Sequence, residues 1–190
     1  MYMGLGTCRT FQAKVMQWAW ETGVSERFSP LDCYLEATAR AGNLAEAVHR
    51  EDLEGVISGV GGALIFVTLK LSLIGMDLPA AEVPTNVVVP GESDAVARAR
   101  KANVLNISDA LLAVTRAVQI LQAEEVTPSD CVSLTRATIS RAAEMVLQSL
   151  ILQADLYGVE LLLCGQSALD QLSSAPGQVP YSNLLPRKAG

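Results

Sequence analysis

Positive charge is scarce in this sequence, and so are aromatic residues, histidine and alternating polarity. Its 190 residues hold 14 Lys and Arg against 20 Asp and Glu, a net charge of −6. That balance excludes a strongly basic nucleic-acid-binding surface over the whole molecule, though not a local basic face. His49 is the only histidine, and alone near a helix end it lacks the nucleophile and orienting group that histidine catalysis requires. Cys8, Cys33, Cys131 and Cys164 lie far apart with no CxxC pair. Neither a zinc knuckle nor a disulfide framework is therefore expected, and reduced thiols in a cytoplasm are. The opening MYMGLGTCRTFQAK has no charged start followed by an apolar run, so no signal peptide is expected. Strand-like alternation occurs only near Val87-Val88-Val89.

What is present is apolar and helical in period. Half the residues are hydrophobic, enough for one generous helical domain or two small ones. The most apolar stretch, GVISGVGGALIFVTLKLSLIGM from Gly55 to Met76, is about long enough to cross a bilayer. It contains Lys70 and lacks aromatic or basic flanks, so a buried helix is expected instead. Gly55, Gly59 and Ala63 recur every four residues, as do Ser58 and Gly62, leaving one helix face nearly bare backbone that another helix or a ligand can approach closely.

Before this segment the pattern predicts a helix from Thr10 to about Gly23, burying Phe11, Val15 and Trp18, and a second from Leu31 to His49 started by Ser29-Pro30. The proline-rich residues 79–94 read as a linker between residues 1–78 and a second helical half at 95–172, itself interrupted at EEVTPSD, where Thr127-Pro128-Ser129-Asp130 reads as a helix start. Residues 173–190 read as a flexible tail. The two halves share a weak repeat. Ala37 to Ala47 lines up with Ala113 to Ala123, setting Arg40 over Arg116 and Asn43 over Gln119, and Leu73-Ile74-Gly75-Met76-Asp77-Leu78 lines up with Leu156-Tyr157-Gly158-Val159-Glu160-Leu161. A duplication would make an internal pseudo-dimer; two amphipathic helices of similar composition would also agree this far. The expected fold class is thus an all-α helical bundle.

The stretches FQAKVMQWAWETG, GNLAEAVHREDLEGV and GGALIFVTLKLSLIGMDL give Phe11 to Leu78 a rhythm that resembles the MazG-like, all-α nucleoside triphosphate pyrophosphohydrolases, particularly the small versions carried by bacteriophages. The resemblance covers about a third of the chain. It implies a magnesium site built from ExxE on one helix and ExxD on the next, because a hard cation needs oxygen ligands. Here the first motif falls on Arg40-Ala41-Gly42-Asn43 and the second on Gly59-Val60-Gly61-Gly62, and in the second copy on Arg116, Gln119, Ala142 and Met145. Every ligand position is empty. A shifted register would enlist Glu36, Glu46, Glu51, Asp52 and Glu54, but acids clustered at a helix start also suit the macrodipole. The expectation is a non-enzyme with no catalytic residue, metal or cofactor.

An emptied acidic site that has gained arginine can accept phosphate directly. Arg40, Asn43, Arg116 and Gln119 are the candidate phosphate contacts, joined by Arg98, Arg100, Lys101, Arg136 and Arg141 in the second half and by Arg187 and Lys188 near the end. The ordinary alternative for each arginine is a solvated face or an ion pair. Trp18, Trp20, Phe28 and Tyr34 gather in the first half. Trp18 fits the buried stripe, whereas Trp20 lies off it and is the candidate for base stacking. The leading expectation is a phage protein of the host cytoplasm that binds single-stranded nucleic acid, chiefly ssDNA, and assists viral transcription or replication by recruiting an RNA polymerase or replication protein. A nucleotide sponge or sensor is the second reading, and a helical oligomerisation protein the third. A homo-oligomer is expected under all three, and a membrane partner under none.

Overall fold

The structure, a computed structural model, describes residues 2–82, 93–123 and 129–174. The Val87–Val89 run with most of the expected linker, the start signal at Thr127-Pro128, and the tail from 175 with Arg187 and Lys188 lie outside the described residues.

Among the described residues the protein is an all-α bundle. Its helices are α1 (Leu5–Glu21), α2 (Val24–Arg27), α3 (Pro30–Arg50), α4 (Leu53–Leu73), α5 (Ser93–Ala123), α6 (Ser129–Asp155) and α7 (Leu161–Ser174). A two-residue antiparallel pairing, β1 (Tyr2–Met3) with β2 (Ala81–Glu82), ties the N-terminus to the segment after α4.

Local chemistry accounts for the best-defined ends. Ser29 caps α3 in a reciprocal capping box with Asp32, and Pro30 occupies the first turn, where its missing N–H costs nothing. At the end of α4, Gly75 takes φ 68°, and the Met76 and Gly75 N–H groups return to the carbonyls of Leu71 and Ser72. At the end of α6, Gly158 takes φ 69° and Val159 and Gly158 return to Ala154 and Asp155 in the same pattern. Both are Schellman-type caps, which need a left-handed residue that glycine supplies without strain. The aligned Leu73–Leu78 and Leu156–Leu161 segments therefore share their backbone geometry.

The central element is α4, buried on every side from Gly59 to Leu71. Two partners press on its glycines. A Cβ at Gly59 would sit 2.8 Å from the Leu44 Cβ of α3, and a Cβ at Gly61 would run into the Cys164 carbonyl oxygen of α7. The bare face thus serves close packing by helices, on two sides of α4 rather than one. Of its most apolar window 78% is buried within the protein, so packing accounts for its composition. Lys70, 2% exposed, donates from Nζ to Thr115 Oγ1 of α5 at 2.5 Å and lies 5.2 Å from the ring centroid of Tyr34 on α3. Burial holds its amine down to about 8.

The α5–α6 hairpin is joined inside by amides. Asn103 Nδ2 donates to Gln153 Oε1 and to the Ser149 carbonyl, each at 2.8 Å. Several sequence-based boundaries are corrected. Helix α1 begins at Leu5 rather than Thr10, because Cys8 packs into the core and extends the buried stripe by one turn. The short α2 was not anticipated, and the second half breaks again at Gly158 to form α7. Ala81 and Glu82 pair in β2 and Ser93 opens α5, so the ends of the 79–94 segment belong to regular elements. Because α7 seats on α4, the two halves share one continuous core.

Candidate phosphate-binding cleft

Helices α3 and α4 run antiparallel, and the motif spacing sets Arg40 and Asn43 on one and Gly59 and Gly62 on the other. Gly59 faces Leu44, and Gly62 faces Arg40, whose Cδ lies 2.8 Å from where a Gly62 Cβ would be. The missing side chain makes room for the Arg40 methylenes, a use of arginine's apolar stem. Its guanidinium carbon lies 6.0 Å from the Phe66 ring centroid. Above this contact an open cleft of about 260 Å³ is lined by Arg40 and Asn43, then by Glu46, Arg50, Asp52 and Ser58, with Gly55 and Gly59 in its wall. Sequence reasoning named Arg40 and Asn43; Arg50 and Ser58 join them only because α3 and α4 are antiparallel.

The charges in the cleft are not equally available. Arg50 pairs with Glu46 at 2.6 Å, whereas Arg40 makes no hydrogen bond or ion pair with a described residue. One turn before it Glu36 is 1% exposed, with Oε1 buried and unpartnered. Desolvation raises the Glu36 pKa, against a smaller opposing effect of the Arg40 charge. Burial, more than the neighbouring cation, therefore governs this carboxyl. Trp18 Nε1 is likewise buried without a partner.

The donor set does not suit magnesium. The motif positions carry Arg40, Asn43, Gly59 and Gly62, and of the acids in the cleft Glu46 is engaged by Arg50. Among the described residues no three His, Cys, Asp or Glu side chains converge as a metal site would need. In the alternative acid register, Glu51 is the α3 C-cap at φ 56° and Glu54 lies exposed in the first turn of α4. Glu51 therefore closes one helix rather than opening the next.

The remaining candidates are scattered. Arg98, Lys101, Arg116 and Gln119 are exposed on α5, and Arg141 is exposed on α6. Arg100 is already engaged: its Nε and Nη2 donate to the Leu156 carbonyl at 3.1 and 2.7 Å, and its guanidinium carbon lies 3.9 Å from the Tyr157 ring centroid. Arg136 donates to the Gly75 carbonyl at 3.4 Å. Each of these two arginines thus caps a helix C-terminus, where a cation suits the carbonyl end of the dipole. Arg116 does not repeat Arg40's position. Counting from the Asn103–Ser149 and Asn103–Gln153 bonds along antiparallel helices, Met145 lies opposite residues near 109, about two turns from Arg116.

The aromatic residues also divide. Trp18 meets Phe66 edge-on at 6.3 Å, Phe28 stacks on Phe66 at 6.2 Å, and Tyr34 lies under Lys70. Trp18 belongs to the core and Phe28 and Tyr34 pack against it, whereas Trp20 is left 68% exposed on α1. Compared with protein-family models, with curated proteins and with solved structures, the chain matches none.

Proposed function

We propose that this protein binds nucleotide phosphates without cleaving them, in the cleft between α3 and α4, and that its ligand is a single-stranded nucleic acid. One observation carries the reading: Arg40, whose charge no described residue pairs, lies across Gly62 beside Asn43 at the edge of an open cleft. A guanidinium so held offers forked donors to a phosphate, and the neighbouring amide can take a phosphate oxygen or a base edge. The facing of Arg40 by Gly62, with Asn43 and Gly59 lining the same cleft, also supports descent from a MazG-like pyrophosphohydrolase whose four acids have been replaced. Arg98, Lys101 and Arg141 offer further phosphate contacts and Trp20 a stacking surface. On this reading the protein works in a phage-infected cytoplasm beside a polymerase or replication protein.

A free mononucleotide is the second reading, and the size of the cleft, about 260 Å³, favours it. Fluorescence-anisotropy titrations with labelled single strands, duplex and mononucleotide at two salt concentrations separate the two. A strand binder gains affinity with oligonucleotide length and loses it steeply with salt, whereas a nucleotide binder saturates at fixed stoichiometry. Arg40→Glu, with the helical circular-dichroism signal unchanged, is expected to weaken either ligand at least about tenfold. Unchanged binding in that variant, or triphosphate turnover abolished by a chelator, would overturn the assignment.

A further inference from the structure

Along the outer face of α5 three large apolar side chains stand open among polar and charged ones. The most apolar 18-residue window within Asp94–Ala123 reaches a mean hydropathy of 1.4, yet only 44% of that window is buried, against 78% for α4. Leu105 is 68% exposed, Ile120 51% and Leu112 36%, all on the side turned away from α3 and α6. Such side chains offer an interaction face where a partner also matches the charges that stand between them. The same stripe carries Asp109 and Arg116, both exposed and neither bonded to a described residue. Two turns separate them, about 10 Å along the axis, so they cannot pair with one another.

We propose that a second copy of this chain covers the stripe, its α5 packed antiparallel against the first about a two-fold axis between Leu112 and Ala113. Each residue then meets the one equally far beyond the axis. Leu105 meets the partner's Ile120, Asp109 meets the partner's Arg116, and Leu112 meets the partner's Ala113. Symmetry supplies every contact twice, giving four apolar contacts and two ion pairs that the monomer cannot form. The charges select this register: centring the helices to stack Leu105 on Leu112 would bring Lys101 against Arg116, a like-charge contact. Arg116 belongs to the dimer rather than to a phosphate site, and the Arg40 cleft, formed by α3 and α4, stays open in it.

Sedimentation velocity on the full chain over a range of micromolar concentrations tests this, with circular dichroism to show that each variant is folded. The wild type sediments as a dimer. Asp109→Arg and Arg116→Asp each place like charges in contact and raise the dimer dissociation constant on the order of a hundredfold, whereas the double variant, which swaps the charges, recovers to within about tenfold of wild type. A monomeric wild type, single variants that dimerise unchanged, or a double variant no better than the singles would each overturn the proposal. Sedimentation of the wild type with phosphatidylcholine vesicles would overturn it too, because lipid would then be what covers the stripe.

Discussion

In the α3–α4 hairpin, glycine stands where a neighbouring helix presses closest, and α4 is enclosed along most of its length; in the α5–α6 hairpin, the inner face is held by an amide pair and the outer face of α5 is open. Both α4 and α6 end in the same left-handed glycine cap, so local signals treat them alike. The difference arises from what covers them. Helix α4 has α1, α3, α6 and α7 around it, and side-chain volume has been given up to admit them, whereas α6 keeps polar side chains on a free face. Similar hairpins can thus form one core when a helix of one of them accepts α1, α7 and the other hairpin's α6.

The sharpest way to break this comparison is to change side-chain volume at matched positions, adding it on α4 and removing it on α6. Gly61→Val drives a side chain into the Cys164 carbonyl and is expected to cost about 3 kcal/mol or more in urea unfolding, at or beyond the usual range for overpacking. Glu144 stands as far before Gly158 as Gly61 does before Gly75, and Glu144→Ala is expected to cost less than about 0.5 kcal/mol. Equal losses would mean that α6 is as tightly enclosed as α4.

A second test uses the buried cation. The folded chain holds the Lys70 amine at about 8 against an ordinary value of 10.5, so between those values the unfolded chain binds more protons. The penalty of burying the charge is full below pH 8 and is relieved as pH rises to 10.5. Relative to Lys70→Met, the wild type is therefore expected to gain on the order of 2–3 kcal/mol of unfolding free energy across that window. Burial raises the thiols of Cys33 to about 12 and Cys164 to about 11, and these act in the opposite sense, losing stability as pH climbs above their ordinary value of 9.0. Subtracting the variant's curve removes most of their contribution. A flat difference would show that Lys70 is not held neutral in the core.

A further test lies in the amide pair of the second hairpin. Asn103→Ala leaves the buried Gln153 carbonyl without its donor and is expected to cost about 1–3 kcal/mol. Replacing both amides by leucine is expected to recover most of that loss, because no polar group is then stranded. Equal instability of the double variant would show that the pair serves packing shape rather than hydrogen bonding.

How far the sequence foretold the molecule varies with the range of the interactions. Ser29-Pro30 announced the start of α3 because a capping box is closed within four residues. Trp18 and Trp20 were separable by helical period alone, and one is 4% and the other 68% exposed. The start of α1 was missed because what holds its first turns, the burial of Cys8, depends on the rest of the fold. In the cleft, Arg40 and Asn43 were legible through motif spacing. Arg100 and Arg136 were not legible as caps, because the carbonyls they serve lie 56 and 61 residues away.

By itself the sequence determined that the chain is helical and where its strongest caps fall, since each of these depends on residues within a few turns of one another. Only the tertiary structure decided that α4 is the hub, that Lys70 reaches Thr115 across 45 residues, and that Arg40 rests on Gly62. Which backbone comes within 3–4 Å of which side chain is a property of helices packed together, and no stretch of the chain carries it alone.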